Sequence, residues 1–483
     1  MRDLQKSRLI IVKMNIANMI PASELTLATN GVKIVSVEHI NLEEDCELQF
    51  YKVLGQIIPV DFNCPVINFE VNLPLNWNGK LVHFGGGGFN GYLVTGLGAV
   101  PGEKATRKTA LQRGYATCGS DSGHINTFFW DMDWALNDES LNNFGHEHIK
   151  KTKDVANYII KQFYGNCPGK VYFVGSSNGG REALMCAQRY PKDFDGVLVG
   201  YPVFNWVPKI LTDYRNMKAM DDAGPEGFIS EEEFIRAYSL VQKLCEEKGC
   251  MRDGLVQDFY ACDQLKEEAF NRITRVLNGK QLAVLRNFYE PMEFEYELAN
   301  GVKRQEGFSI VQQLSDHRIH PFGKISGKRD GLFAKTVDQI IRFQIMRSVN
   351  TNIHNFEYTQ NKEAVVALSK IMDATDVKLD EFNARGSKVL MFHGINDQLL
   401  SVHATIDYYQ KVVKYLGESA KSFIKLFLVP GFGHDYGEVF DMHADMLEAL
   451  DNWVENGIVP NEIVAEDQNK ATYGRIQIIK AFK

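Results

Sequence analysis

The sequence predicts a mostly parallel α/β sheet with helices on both faces, interrupted by one large insertion. Three observations carry this. Short apolar, β-branched runs recur with stretches of helical spacing between them, the alternation lapses between about residues 205 and 385, and it resumes at Lys388. Strand alternating with helix places the crossovers on the faces of a sheet and buries its strands on both sides. A chain that leaves this pattern and returns to it carries an insertion within one domain. The expected division is a first core part over 1–204, an inserted lid over 205–385 and a second core part over 386–483.

The elements follow in order. The N-terminal stretch MRDLQKSRLIIVKMNIANMIPAS starts basic, but Lys13 ends its apolar run after LIIV, too early for a signal peptide. KLVHF (80–84) reads as a buried strand and runs into HFGGGGFNG (83–91). HIKKTKDVANYIIKQFYG (148–165) has helix spacing, KVYFVG (170–175) is a strand, REALMCAQRYP (181–191) a helix and GVLVG (196–200) a strand. Inside the insertion, SEEEFIRAYSLVQKLCEEKG (230–249) carries helical periods without intervening strands. KVLMFHG (388–394) and FIKLFLVP (423–430) restore the pattern, and a helix expected to contain His443 closes it.

The totals exclude several classes. A 483-residue chain with 45% hydrophobic and 24% charged residues buries a large core. A net charge of −8 argues against nucleic-acid binding, which needs a basic face. No segment reaches the roughly 18 uninterrupted apolar residues of a membrane span. Eight cysteines with no C-x-x-C pair are too sparse for a disulfide framework.

Gly175-Ser176-Ser177-Asn178-Gly179 fits G-x-S-x-G, the strained strand-to-helix turn that exposes a nucleophilic serine. Such a pentapeptide arises by chance in roughly one chain in five of this length, so the flanking strand and helix carry the assignment to Ser177. A serine hydroxyl needs a base, and the base needs an orienting group. On this architecture they follow in the order Ser, Asp or Glu, His, each on a loop after a strand. HGINDQLLS (393–401) offers Asp397 and PGFGHDYG (430–437) offers His434. Among the twelve histidines, His393 and His403 come too early, and Asp435 is too close in sequence to His434 to reach its Nδ1. The four glycines of HFGGGGFNG suit an oxyanion hole, with the N–H of Gly86 or Gly87 joining that of Asn178. The competing phosphate loop lacks both the G-K-[ST] ending and the G-x-G-x-x-G spacing.

These motifs stand within a longer series: LPLNWNGKLVHFGGGGFNG (73–91), RGYATCGSDSGH (113–124), YFVGSSNGGREALMCAQRYPKDFDGVLVGYP (172–202), FNARGSKVLMFHGINDQLLS (382–401), IDYYQKV (406–412), FLVPGFGH (427–434) and LEALDNWVENGIVP (447–459). In them the chain resembles the tannase and feruloyl esterase family from about residue 20 to 465. The resemblance implies an α/β-hydrolase core with an inserted lid, hydrolysis of esters of aromatic acids such as hydroxycinnamic or gallic acid, and Ser177, Asp397 and His434 as the triad. It implies no required cofactor. Its partner is a small-molecule aromatic ester, and neither nucleic acid nor membrane. The oligomeric state stays open.

Two departures from the family pattern matter. Family members usually carry cysteines directly before the serine and directly after the histidine, joined as a disulfide. Ser176 and Asp435 stand there instead. The expectation is that the Ser176 hydroxyl donates to the Asp435 carboxylate in a charge-assisted bond of roughly 2.5–2.7 Å, and that the protein works in a reducing compartment, the cytoplasm. Family lids also often bind structural calcium within a disulfide-closed loop. Here CEEKGCMRDGLVQDFYAC (245–262) keeps Glu246 and Asp253, but Gly249 replaces a carboxylate, so weak calcium binding or none is expected. Zinc on Cys245, Cys250 and Cys262 fits no familiar spacing, which leaves free thiols or one Cys245–Cys262 bridge. Phe204, Trp206, Tyr214 and Phe343 are candidate walls of an acyl pocket. The sequence thus points to a serine esterase, with an acyltransferase on the same triad or a non-catalytic binder on the same scaffold as alternatives.

Overall fold

The structure is a computed structural model that describes residues 18–42, 48–104, 106–126, 131–315, 320–326 and 328–483. The apolar run at 9–12, and with it the signal-peptide reading, lies outside the described residues.

Ten strands form the central sheet: β1 Met19–Ile20, β2 Val32–Leu42, β3 Leu48–Ile57, β4 Ile67–Pro74, β5 Lys80–Phe84, β6 Ala116–Ser120, β7 Lys170–Ser176, β8 Gly196–Gly200, β9 Lys388–Gly394 and β10 Ile424–Val429. Their spatial order is β1-β2-β3-β4-β6-β5-β7-β8-β9-β10. The pairings from β1 to β4, and of β4 with β6, are antiparallel. Every pairing from β6 to β10 is parallel. The five strands expected from the sequence are β5, β7, β8, β9 and β10. Strands β2 and β3 escape that reading because VKIVSVEHINL and LQFYKVLGQI alternate polar with apolar residues. They lack the unbroken apolar run that marks a strand covered on both faces.

Strand β7 shows why the sheet is covered twice. Phe173 faces one core with Ile149, Val155 and Ile159 of the helix His148–Tyr164 and Leu184 of the helix Asn178–Arg189. Tyr172 and Val174 face another with Leu447, Leu450 and Trp453 of the helix Met446–Asn456. Each such buried side chain is worth about 1.5–3 kcal/mol.

Between Gly200 and Lys388 no described residue joins this sheet, and β8 pairs directly with β9. The intervening chain forms helices, including Trp206–Ala223, Glu231–Glu247 and Leu332–Gln339, and two short two-stranded ribbons. Glu231–Glu247 starts on a reciprocal capping box of Ser230 and Glu233. Trp206, Ile210, Val337 and Ile340 share a separate apolar core with Leu141 and Phe144 of the first core part. His443 is not in the closing helix: it ends the short strand Met442–His443, and its Nδ1 accepts from the Lys104 N–H at 2.6 Å. Ala444 and Asp445 separate that strand from the helix that starts at Met446. No helix among the described residues is long and apolar enough to cross a membrane.

Candidate active site

Strand β7 ends at Ser176, and Ser177 stands in the sharp turn to the next helix at φ 55°, ψ −118°. That backbone costs a residue with a Cβ about 1–3 kcal/mol and persists only where its surroundings impose it. The surroundings are explicit. Ser177 N–H donates to Gly200 O at 3.0 Å, and Ser177 O accepts from Val203 N–H at 3.1 Å. Glycine follows because space is absent: a Cβ on Gly180 would lie 2.6 Å from Gly200 O.

Asp397 and His434 arrive on the loops after β9 and β10. Asp397 is fully buried, and its Oδ1 accepts from the N–H groups of Leu399 and Leu400 at 2.8 and 2.9 Å. Its Oδ2 lies 3.0 Å from His434 Nδ1, and His434 Nε2 lies 3.1 Å from Ser177 Oγ. Burial by itself would raise the Asp397 pKa. The charge of His434 and the hydrogen bonds of His393 and His434 reverse this and hold the carboxyl far below the usual range. A carboxylate at Nδ1 fixes the tautomer that leaves Nε2 free to accept the serine proton.

Several supporting residues carry no motif. Gln398 Oε1 accepts from the His434 N–H at 3.0 Å. Gln312, in the inserted segment, donates from Nε2 to the carbonyls of Asp397 and Leu400 at 2.6 and 2.7 Å. His393 places Nε2 3.2 Å from Asp397 Oδ2. The adjacency of His393 to the Asp397 loop was visible in the sequence, whereas the arrival of Gln312 from 85 residues away was not.

The glycine loop departs from expectation. Gly86 N–H donates to the buried carboxylate of Glu182 at 3.0 Å, and Gly87 N–H donates to the hydroxyl of the exposed Tyr92 at 2.9 Å. Neither is directed at the cleft beside Ser177. Gly88 is the member of the run that lines that cleft. Counting glycines could not separate them, because the turn of the loop decides which N–H faces out. Asn178 is the first residue of its helix, so its N–H has no intrahelical acceptor.

Ser176 and Asp435 do not bond each other directly. The Tyr201 hydroxyl lies between them, donating to Asp435 Oδ1 at 3.1 Å and bonding Ser176. The Tyr201 ring meets the His434 ring edge-on, with centroids 4.8 Å apart.

The cleft over Ser177 and His434 holds about 110 Å³ and is walled by Gly88, Phe89, Val203, Trp206, Lys209, Ile210, Leu332, Phe333, Thr336, Ile340, Leu399 and Leu400. Of the aromatic residues singled out from the sequence, only Trp206 reaches it. Phe204 packs on Tyr408, the Tyr214 hydroxyl donates to the carbonyls of Ile353 and Phe356, and Phe343 packs against the apolar core that Trp206 shares with Leu141 and Phe144.

In the 245–262 segment the sulfurs of Cys245, Cys250 and Cys262 lie within 4.8 Å of one another, with Cys250 and Cys262 at 2.7 Å, and all three are free thiols. Glu246 and Asp253 are exposed. Gly249, at the third position, supplies no carboxylate.

The model of the family described as tannase and feruloyl esterase matches residues 51–482. An uncharacterized esterase of Agrobacterium fabrum is 33% identical, over 95% of this chain and 87% of its own. The mono(2-hydroxyethyl) terephthalate hydrolase of Piscinibacter sakaiensis is 25% identical, over 90% of this chain and 80% of its own. Among solved structures, feruloyl esterase B of Aspergillus oryzae superposes with a TM-score of 0.74 at 20% identity, covering 96% of this chain and 94% of that one. The tannin acyl hydrolase of Aspergillus niger gives 0.73 at 16%, covering 96% and 93%. The fold is that of an α/β-hydrolase, and the chain belongs to the tannase and feruloyl esterase family of carboxylic-ester hydrolases.

Proposed function

We propose that the protein hydrolyses esters of aromatic acids through an acyl-enzyme on Ser177. The observation that carries this reading is the line Ser177–His434–Asp397, linked at 3.1 and 3.0 Å and opening on an apolar cleft. Ser177 Oγ attacks the ester carbonyl while His434 Nε2 takes its proton. In this reading the oxyanion is met by the N–H groups of Asn178, the first residue of its helix, and of Gly88, which lines the cleft. Collapse expels the alcohol, which His434 protonates. Water, deprotonated by the same ring, then releases the acid. Asp397 stays ionised throughout and stabilises the imidazolium.

The cleft supports an aromatic acyl group. Phe89, Trp206 and Phe333 supply ring faces and edges, and Val203, Ile210 and Ile340 complete an apolar wall. A cavity of about 150 Å³ holds benzene, so about 110 Å³ open at its mouth suits a single ring joined directly to the carbonyl.

The test is a hydrolysis panel of benzoate, gallate, terephthalate mono-ester, ferulate, chlorogenate and acetate esters, with Ser177→Ala as control. Aryl-acid esters should turn over with the highest kcat/KM, and the variant should lose at least about 10³-fold. Turnover that survives in Ser177→Ala, or a panel in which only acetate is cleaved, would refute the reading.

A further inference from the structure

We infer that Glu182, a residue outside the triad, is the positioning group of the oxyanion hole: its carboxylate locks the glycine loop to the nucleophile elbow. The inference rests on the reading of Ser177 as nucleophile.

Glu182 lies one turn beyond Asn178 in the same helix and is completely buried, as is Asn178. Its Oε2 accepts the Gly86 N–H at 3.0 Å, and its Oε1 accepts from Asn178 Nδ2 at 2.9 Å. One carboxylate therefore holds both elements that must present N–H donors to the same oxygen. The geometry of the loop is built around it. A Cβ on Gly85 would sit 2.6 Å from Glu182 Oε2, and one on Gly179 would sit 3.1 Å from Gly86 O. The glycine run thus serves close approach of the loop to the helix and to this carboxylate.

A buried carboxylate is tolerated when its oxygens are satisfied by donors. Behind Glu182, His148 Nε2 lies 3.3 Å from Oε1, and His148 Nδ1 lies 3.0 Å from Ser120 Oγ. Arg181, also fully buried, donates from Nε to Asn178 Oδ1 at 2.9 Å and from its Nη atoms to the carbonyls of Phe144 and Gly145. Asn178 is held at both ends of its amide, so its backbone N–H has little freedom to turn.

Glu182→Gln keeps the shape but supplies one acceptor where two donors converge. The Gln amide nitrogen must then face either Gly86 N–H or Asn178 Nδ2. Displacing a transition-state donor by a fraction of an ångström leaves substrate binding intact and slows the chemistry. The expected result is a fall of about 10- to 100-fold in kcat and in the rate of inactivation by an aryl alkylphosphonate, with KM within about twofold. The inverted pair Asn178→Asp with Glu182→Gln restores one donor and one acceptor and should recover most of the loss. A folded Glu182→Gln protein with wild-type kcat and phosphonate reactivity would overturn the role. A crystal structure of the wild-type phosphonate adduct decides independently of how the variants fold. Glu182 should still hold Gly86 at about 3.0 Å while the phosphonyl oxygen takes the N–H groups of Asn178 and Gly88. An adduct in which Gly86 N–H leaves Glu182 for the phosphonyl oxygen overturns it. If Ser177→Ala retains turnover, the functional reading itself fails. If Ser177→Ala is dead and Glu182→Gln is unaffected, only the positioning role falls.

Discussion

Replacing Asp397 by asparagine isolates the proton relay from the fold. Asp397 Oδ1 accepts two backbone N–H groups, from Leu399 and Leu400, so the oxygen of an asparagine is captured there. Its amide nitrogen must then point along the former Oδ2 direction, at His434 Nδ1. The ring can satisfy that donor only as the tautomer protonated at Nε2, which puts N–H against Ser177 Oγ where an acceptor is required. A wrong-tautomer relay costs about 10³- to 10⁴-fold in kcat, or about 4–5.5 kcal/mol. The stability cost is smaller and depends on pH. The folded-state pKa of Asp397 is depressed, so its contribution is full above the ordinary carboxylate value near 4 and disappears as pH falls towards the much lower folded value. The melting-temperature gap between wild type and variant should therefore be full at pH 7 and close below about pH 4. Steady-state hydrolysis of an aryl ester, with melting followed by circular dichroism, measures both. A folded Asp397→Asn enzyme within tenfold of the wild-type kcat would refute the reasoning.

Three further outcomes follow from other parts of the molecule. Ile340→Trp fills the apolar cleft beside Ser177 and should abolish hydrolysis of aryl-acid esters while acetate esters persist; equal losses on both would contradict the placement of the acyl group. Tyr201→Phe removes the hydroxyl between Ser176 and Asp435. Because Asp435 is exposed, it should cost only about 1 kcal/mol in a urea melt and less than tenfold in kcat; no change in either would show the bridge to be idle. Burial raises the Asp373 pKa to about 7, against hydrogen bonds from Ser369 and Val207 and the charge of Arg181 that lower it. The folded state thus holds a proton that the unfolded state releases near pH 4, and stability falls as pH rises from about 4 to 7. Asp373→Asn should flatten that slope and melt above wild type at pH 8, whereas an unchanged slope between pH 5 and 8 would assign it to another group.

The meeting of Ser177, His434 and Asp397 was legible where residue type and chain order coincide. Ser177, Asp397 and His434 each follow a strand that reads as a mostly apolar run, so the loops that carry them could be ordered from the sequence. The antiparallel strands β2 and β3 were not legible on the same criterion, because their alternation marks half-covered strands. The placement of the glycine loop was less legible. Four consecutive glycines look alike in sequence, and only the buried carboxylate of Glu182, 96 residues away, separates Gly86 from Gly88. Tyr201 was similarly hidden. It sits at φ 27° just past β8, and nothing local announces that its hydroxyl spans the residue before Ser177 and the residue after His434.

Mass mapping of the enzyme inactivated by an aryl alkylphosphonate tests the central claim most directly. One label per chain is predicted on Ser177 within residues 170–189, together with complete loss of ester hydrolysis. Labelling of a different residue, or full inactivation with Ser177 unmodified, would contradict it.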